Sequence, residues 1–509
     1  MDKLLIAAAI ITLIATAYWV AFALNAYGTF HEYDDLAIFS HNMWLDIHYP
    51  GLSHGLQYTV FGNHISPDLL FMLPIFYLYQ SSVTLLILQV IILSITSLAV
   101  YMIARDLLGN RKIAFAIFLA FVLNPGMHGM MTYDFHAESL ITLFYILTFY
   151  FYIRQRKWPF IASALLLLGT IEEAPFLGIA LGMGLLFYEL VYNRKSAVFM
   201  NRIKLAGILL LMSIVVLGIY DGVTLSLLHS YTAGSYATMP TYLKVLPYVP
   251  HFIATLTGSS HISSPIPAGL GQYIGYSLVA GILFLSIAVL FDPIVTLLLT
   301  SPYIAEIYLM GNYNFAFIFN QYFGFVMGPA LVAGMIGIML LQQKKGWVYH
   351  VLSFGKGKAR TERDMLHKQL MAAFVVSLIV INAFILLLYP GFVYSKNVNN
   401  LPQDFLFQVS PAQHAYEQQV YSMMALIPGN ASVIVPFFVA AHMINRQYLE
   451  DTAYTMDKWY FTPQYILVDP NLNVSLNAQV GLGELYNFSK ENNYTLYAQN
   501  GTAQLYVHN

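Results

Sequence analysis

The feature that most constrains this chain is its succession of long apolar runs. Up to residue 390, stretches that approach or exceed bilayer-crossing length alternate with polar segments. A backbone placed in hydrocarbon must satisfy its own hydrogen bonds, so runs of this kind fold as helices. Taken in order they predict about eleven spans, at roughly 4–24, 83–104, 113–123, 140–153, 160–170, 175–192, 205–220, 271–291, 294–310, 323–341 and 371–389. The third to fifth are short for a hydrocarbon core of about 30 Å. Their ends carry His, Asp, Glu, Gly and Pro, which suits contact with a wet cavity rather than lipid. With 58% hydrophobic and 9% charged residues, the chain reads as a polytopic helical membrane protein and not as a soluble domain. A net charge of -2 gives no footing for nucleic acid, and the absence of cysteine removes disulfides and thiolate metal sites. The first run follows a charged start, as a signal peptide would. It is too long for a typical signal core and lacks a small-x-small cleavage site, so an uncleaved first helix is expected.

Lysine and arginine predict the orientation. All but five of the 23 basic residues fall in alternate segments between spans, around residues 3, 105–112, 154–157, 194–204 and 344–368. By the positive-inside rule these segments and the N-terminus are cytoplasmic, as in a multi-pass protein of the cell membrane. The remaining five, Lys244, Lys396, Arg446, Lys458 and Lys490, fall outside. The Asn-x-Ser/Thr tripeptides at Asn430, Asn473, Asn487, Asn493 and Asn500 all lie on that outer side. The basic loop 344–368 is read as a topology signal that attracts anionic lipid. No Walker or dinucleotide glycine pattern accompanies it. After residue 390 the apolar runs shorten to strand length, at 431–439, 465–469, 494–499 and 503–507, with polar turns between them. The predicted architecture is an all-α membrane bundle over 1–390 with a large first outer loop, 27–82. A small extracytoplasmic α/β domain, 391–509, follows it. Two further outer segments, 221–270 and 311–322, have compositions suited to substrate contact.

Charge is scarce in this chain, yet residues 27–74 hold five carboxylates (Glu32, Asp34, Asp35, Asp46, Asp68) and five histidines (His31, His41, His48, His54, His64). The predicted topology adds Asp134, His136 and Glu138 before the fourth span, and Glu172 and Glu173 between the fifth and sixth. It also adds Asp221 and Glu306 on the same face. Ionisable groups at membrane depth are costly and usually face a cavity or a partner, so their coincidence predicts one site. A carboxylate beside an acceptor hydroxyl or amide can take its proton as general base. Carboxylates with an imidazole could hold a divalent cation, Mg²⁺ or Mn²⁺, with Asp35, Asp134, His136 and Glu172 as candidate ligands. Such a cation would neutralise a phosphate leaving group. Structural roles compete at every position. Asp35 could cap a helix over 36–45, Asp134 and His136 could pair as a lock, Glu172 and Glu173 could cap a helix start, and His64 could merely end the loop.

Several of these segments resemble the ordered motifs of one family. The run from Asp35 through Leu36, Ile38 and Phe39 to Trp44 resembles the signature D-L-G-I-F-x-Q-x-x-W of a prokaryotic multi-span membrane family, a domain of unknown function. Asn63-His64-Ile65-Ser66-Pro67 resembles its H-F-S-P element, and Tyr133 to Glu138 its F-D-F-H-P-E. Ile171-Glu172-Glu173 resembles its K-E-D, Gln321-Tyr322 its Q/H-Y, and IPGNASV and PQYILVD its soluble tail. Ala37 stands for the usual Gly, His41 for the usual Gln and Ile171 for the usual Lys, which removes a candidate phosphate contact. That family is similar to the GT-C superfamily of glycosyltransferases, which use lipid-phosphate-linked sugars and an acid in the first external loop. The resemblance implies a GT-C-like bundle with Asp35 as the catalytic acid and Asp34 as its stand-in. His64, Asp134, His136, Glu138, Glu172, Gln321 and Tyr322 would line a substrate-binding cavity.

The function this predicts is transfer of a sugar from a polyprenyl- or dolichyl-phosphate-linked donor at the extracytoplasmic face. The expected partners are membrane lipid and that donor, with no nucleic acid and an acceptor the sequence does not identify. Two other classes share the same pattern: a transporter or flippase of a lipid-linked or small polar substrate, and a non-catalytic membrane scaffold.

Overall fold

The computed structural model describes residues 2–32, 34–49, 65–226, 292–308, 321–346, 411–452, 461–470 and 481–509, with isolated positions between 369 and 382. Its helices are α1 (Lys3–Gly28), α2 (Asp34–His48), α3 (Leu69–Leu78), α4 (Ser82–Leu108), α5 (Arg111–Val122), α6 (Pro125–Thr132) and α7 (Ile141–Ile153). They continue with α8 (Lys157–Leu168), α9 (Ala174–Tyr192), α10 (Phe199–Ser226), α11 (Pro293–Tyr308) and α12 (Gly324–Gln342). The C-terminal part carries α13 (Pro411–Met424), β1 (Val433–Val435), β2 (Leu449–Asp451), β3 (Tyr465–Val468), α14 (Leu482–Glu491), β4 (Tyr494–Asn500) and β5 (Ala503–His508).

Among the described residues five helices, α1, α4, α9, α12 and α10 as far as Tyr220, are long and apolar enough to cross a membrane. α5 and the residues Gly126–Thr132 of α6 form a sixth candidate, bent by 48°. The break falls at Asn124-Pro125, where proline supplies no backbone N–H. The Asn124 side chain fills in, accepting from Gly126 N at 2.9 Å and donating to Asn382 Oδ1 at 3.2 Å. The short third apolar run is therefore one limb of a broken helix. The runs 140–153, 160–170 and 294–310 fold as α7, α8 and α11, helices of 13, 12 and 16 residues, too short to count as crossings. Run 271–291 lies outside the described residues, as does most of 371–389.

The chain divides into two compact units. The first takes residues 1–16, 91–130 and 137–389. Its α9 is a small-residue helix. A Cβ on Gly178 would lie 2.3 Å from Ser213 Oγ, and one on Gly182 2.7 Å from Leu210, so α10 packs at backbone distance. Buried Glu189 on α9 meets Arg202 Nη1 at 3.2 Å, and Arg202 Nη2 donates to the Ile153 carbonyl at 3.1 Å. α12 is uncharged and buried along its length, as expected of a helix wrapped by others. It follows a 3-10 turn, Gln321–Phe323, and starts on Gly324, where a Cβ would come within 2.6 Å of the Glu138 carbonyl oxygen. Only glycine allows that approach.

The second unit takes residues 17–90, 131–136 and 390–509. Its sheet has the order β2-β1-β3-β5-β4, with β1 parallel to β2 and β3, and β5 antiparallel to β3 and β4. Ile434, Ile466, Val468, Leu485 and Tyr494 form a core under α14. Among its described residues the first outer loop is largely helical, since α1 runs to Gly28 and α2, α3 and the start of α4 follow. A 3-10 segment, Phe437–His442, sits directly on it. The Ala441 carbonyl accepts from Ser82 Oγ at 2.6 Å and Tyr27 OH at 3.4 Å, and the Tyr27 ring stacks on His442 at 3.9 Å. His41 Nε2 donates to the Arg446 carbonyl at 2.8 Å. The first outer loop and the segment 437–446 thus pack together within one unit.

Candidate functional site

α2 opens with two acids, Asp34 and Asp35, at the helix end where unpaired N–H groups concentrate positive potential. A third acid reaches the same point from far along the chain: Asp134 Oδ2 accepts from Leu36 N at 3.0 Å and so caps the helix. His136 lies between the acids. Its Nε2 is 2.9 Å from Asp35 Oδ2, and its Nδ1 is 3.2 Å from Asp134 Oδ1. Nδ1 hydrogen-bonds the Asp134 backbone carbonyl at 3.2 Å, with Asp134 Oδ1 at ion-pair distance, so both ring nitrogens face acceptors, which is the geometry of imidazolium. Exposure gives the cluster a direction. The side chains of Asp134 and His136 are 0% and 3% exposed, while that of Asp35 is 29% exposed. Asp134 is the inner anchor, and Asp35 is the member that a ligand can reach.

The second contributor is Gln89, a lone amide in the apolar run of α4. Its Nε2 donates to the carbonyls of Tyr133 and Asp134, at 3.1 and 3.0 Å, and its Oε1 accepts from His136 N at 2.9 Å. One side chain thereby satisfies three backbone groups of a buried, non-helical segment, each of which would otherwise be costly to bury. Phe39 packs edge-on against Phe135 at 5.5 Å and against His136 at 5.9 Å, and Tyr133 lies 5.2 Å from the imidazole. These contacts fix the ring plane that the two carboxylates require.

Burial alone would push the His136 imidazolium towards its neutral form. The charges of Asp134 and Asp35 outweigh it and hold the ring well above its ordinary pKa. Burial raises Asp134 to about 6, against the pull of His136 and of the Leu36 N–H. At neutral pH the cluster is therefore two carboxylates around one imidazolium. Glu32, buried in the same unit, is held well above the carboxylate range by burial and by the charge of Asp134, and is a neutral acid there.

Of the residues predicted for the site, Asp35, Asp134 and His136 come together, and their ligand atoms all lie within 4.8 Å of one another. Asp34 is the first residue of α2. His64 lies outside the described residues. Glu138, Glu172, Gln321 and Tyr322 belong to the other unit. Glu138 is buried in the 3-10 turn Ala137–Leu140, and Glu172 stands in the turn before α9. Glu173 is the N-cap of α9, but its side chain makes no capping bond. Gln321 and Tyr322 start the turn that leads into α12, beside the Glu138 backbone. Gln89 escaped the sequence reading. The signal available was a single amide in LLILQVIIL, which must be bonded to be tolerated.

Fold and site together define a largely helical chain with several membrane-length apolar helices, whose second unit gathers two acids around a buried imidazole. The chain belongs to the DUF2079 family of predicted membrane proteins, which it matches over residues 22–504. No curated protein matches it. Among solved structures it is similar to ArnT from Cupriavidus metallidurans bound to undecaprenyl phosphate, at 12% identity and a TM-score of 0.42, over 96% of this chain and 97% of that one. It is also similar to the same protein in the apo state, at 10% identity and a TM-score of 0.39, over 96% of each chain.

Proposed function

We propose that the protein is a membrane glycosyltransferase that takes a sugar from a polyprenyl- or dolichyl-phosphate donor at the extracytoplasmic face. The observation that carries this reading is the Asp134–His136–Asp35 bridge, closed at its buried end and open at Asp35. In the proposed step an acceptor hydroxyl or amine attacks the anomeric carbon and its proton passes to Asp35. The bond from sugar to lipid phosphate breaks, and its electron pair leaves on the phosphate. A carboxylate suffices as base because the acceptor becomes acidic while it bonds to an oxocarbenium-like centre. His136 orients Asp35 through Nε2–H, and Asp134 holds His136, the division of labour of an acid–imidazole relay. Asp34 is the neighbouring carboxylate at the same helix start. His64, Glu138, Glu172, Gln321 and Tyr322 are proposed as substrate-binding residues, and the membrane part as a bundle of about eleven spans.

The same three side chains fit a divalent cation by donor type and spacing. Asp35, Asp134 and His136 would hold it, and Mg²⁺ or Mn²⁺ there would offset charge on a leaving phosphate. His136 ligates only after giving up a bridging proton, so cation and proton compete for the site.

The test is transfer of radiolabelled sugar from a polyprenyl-phosphate donor by the full chain in lipid. Asp35→Asn should lower transfer on the order of 10²–10⁴-fold without changing the melting temperature. Unchanged transfer would remove Asp35 from the reaction, and uptake of solute into vesicles without bond formation would select the transporter reading.

A further inference from the structure

A cavity of about 460 Å³ in the first unit, sharing no residue with the acid cluster, is lined by Asp106, Tyr150, Phe151, Arg154, Arg156 and Pro159. The turn between α7 and α8 contributes Arg154 and Arg156 to its lining. Arg156 N bonds the Phe151 carbonyl and Gln155 N the Tyr152 carbonyl, each at 3.0 Å, which is the Schellman closure of a helix. The closing residue, Gln155, has φ 54°, a left-handed conformation that glycine would adopt at lower cost. This rigid turn brings Arg154 and Arg156 to one edge.

The two arginines are not equivalent. Arg154 Nε lies 2.8 Å from Asp106 Oδ2, its Nη2 lies 3.1 Å from the Asp106 carbonyl, and Tyr150 OH donates to the same carboxylate at 2.8 Å. Asp106 is thus occupied, and Arg154 Nη1 has no partner among the described residues. Arg156 is exposed and makes no ion pair among the described residues. The cavity therefore offers one uncompensated guanidinium and one partly free guanidinium edge above an apolar floor of Phe151 and Pro159. Beside it, Trp158 is 74% exposed, with Lys157 Nζ 5.4 Å over its ring, the pairing expected at a membrane–water boundary.

We propose that this cavity binds the phosphate of an anionic phospholipid headgroup in the leaflet on the basic side of the membrane. Arg156 makes the main charge contact, Arg154 Nη1 and Tyr150 border it, and Phe151 and Pro159 meet the glycerol and first methylenes. A free phosphate shares the charge chemistry but gains nothing from the apolar floor or from Trp158.

The experiment is native mass spectrometry of the full chain released from bilayers of equal phosphatidylglycerol and phosphatidylcholine. Retained phosphatidylglycerol should exceed retained phosphatidylcholine. Arg156→Ala should cut that retention on the order of tenfold, the loss of one charge-assisted contact to the phosphate. Arg156→Lys should restore part of it. Lys112→Ala, an exposed basic residue on α5 outside the cavity, should leave it within about twofold. Equal losses in Arg156→Ala and Lys112→Ala would reduce the effect to diffuse attraction and overturn the site. So would retention without headgroup preference, or displacement of the lipid by excess inorganic phosphate. The readout is lipid retention, so it stands or falls independently of sugar transfer.

Discussion

Each unit buries a cluster of charged side chains, and the two clusters have opposite balances. In the first unit one acid meets one base. Glu189 is 0% exposed, Arg202 is 15% exposed, and the second arm of the guanidinium is spent on the Ile153 carbonyl. The charges cancel and the pair ties α7, α9 and α10 together. In the second unit two carboxylates share one imidazolium, and the outer carboxylate stays open to ligand. A purely structural contact gains nothing from surplus negative charge, because burial already opposes it. Surplus charge with one accessible member is what acid–base chemistry requires, and it is tolerated where binding follows. The helix start of α2 and the amide of Gln89 hold that surplus in place.

The contrast breaks most sharply in the first unit. Arg202→Met leaves Glu189 buried without a counter-charge, which costs about 3–5 kcal/mol, a large share of the roughly 5–15 kcal/mol that holds a domain. A steep fall in melting temperature and folded yield is expected, and Glu189→Leu in the same chain should recover most of it. Asp35→Asn belongs at the other extreme, with activity lost and stability kept. A melting temperature unchanged by Arg202→Met would end the structural reading of that pair.

The pH profile sharpens the comparison from the other side. Asp134 has its pKa raised to about 6 by burial, so it takes up a proton as pH falls through that value. It then ceases to balance His136, and the relay to Asp35 loses its anchor. Transfer should fall with an acid limb near pH 6. A profile flat down to pH 5 would show that the ionisation of Asp134 is not coupled to the reaction.

How much of this was legible beforehand follows from the chemistry of each residue. Asp35, Asp134 and His136 stood out because ionisable groups in an apolar chain are expensive and need a reason. Their meeting point could not be read, since it depends on Asp134 capping a helix that begins 100 residues earlier, at Asp34. Gln89 left no periodic trace, because one amide in a crossing helix changes neither hydropathy nor spacing. The strands β1, β3, β4 and β5 fall on the apolar runs that predicted them, whereas β2, Leu449–Asp451, carries two acids and reads as a loop. Its pairing with β1 overrode its composition. The third apolar run was too short alone because Asn124 and Pro125 conceal its continuation into α6.

The smallest effect concerns His41, which stands where the signature it resembles has glutamine. His41 is buried on α2, and its Nε2–H reaches the Arg446 carbonyl, a bond that a glutamine Nε2–H can also make. At pH 7.5 His41→Gln should therefore change stability by under about 0.5 kcal/mol. Acid separates the two side chains. Burial lowers the folded pKa of His41 from 6.5 to about 4, although the Arg446 carbonyl opposes the shift. Between those values the unfolded chain binds a proton that the folded chain does not, so stability drops as pH falls. Glutamine does not titrate, and the variant should lead the native chain by on the order of 2 kcal/mol at pH 5. The other buried imidazoles are common to both chains and cancel in the difference. Equal acid sensitivity of the two proteins would show that His41 is charged in the folded state. The Nε2–H bond to the C-terminal segment would then be charge-assisted, and His41→Gln would weaken the packing of that segment on α2.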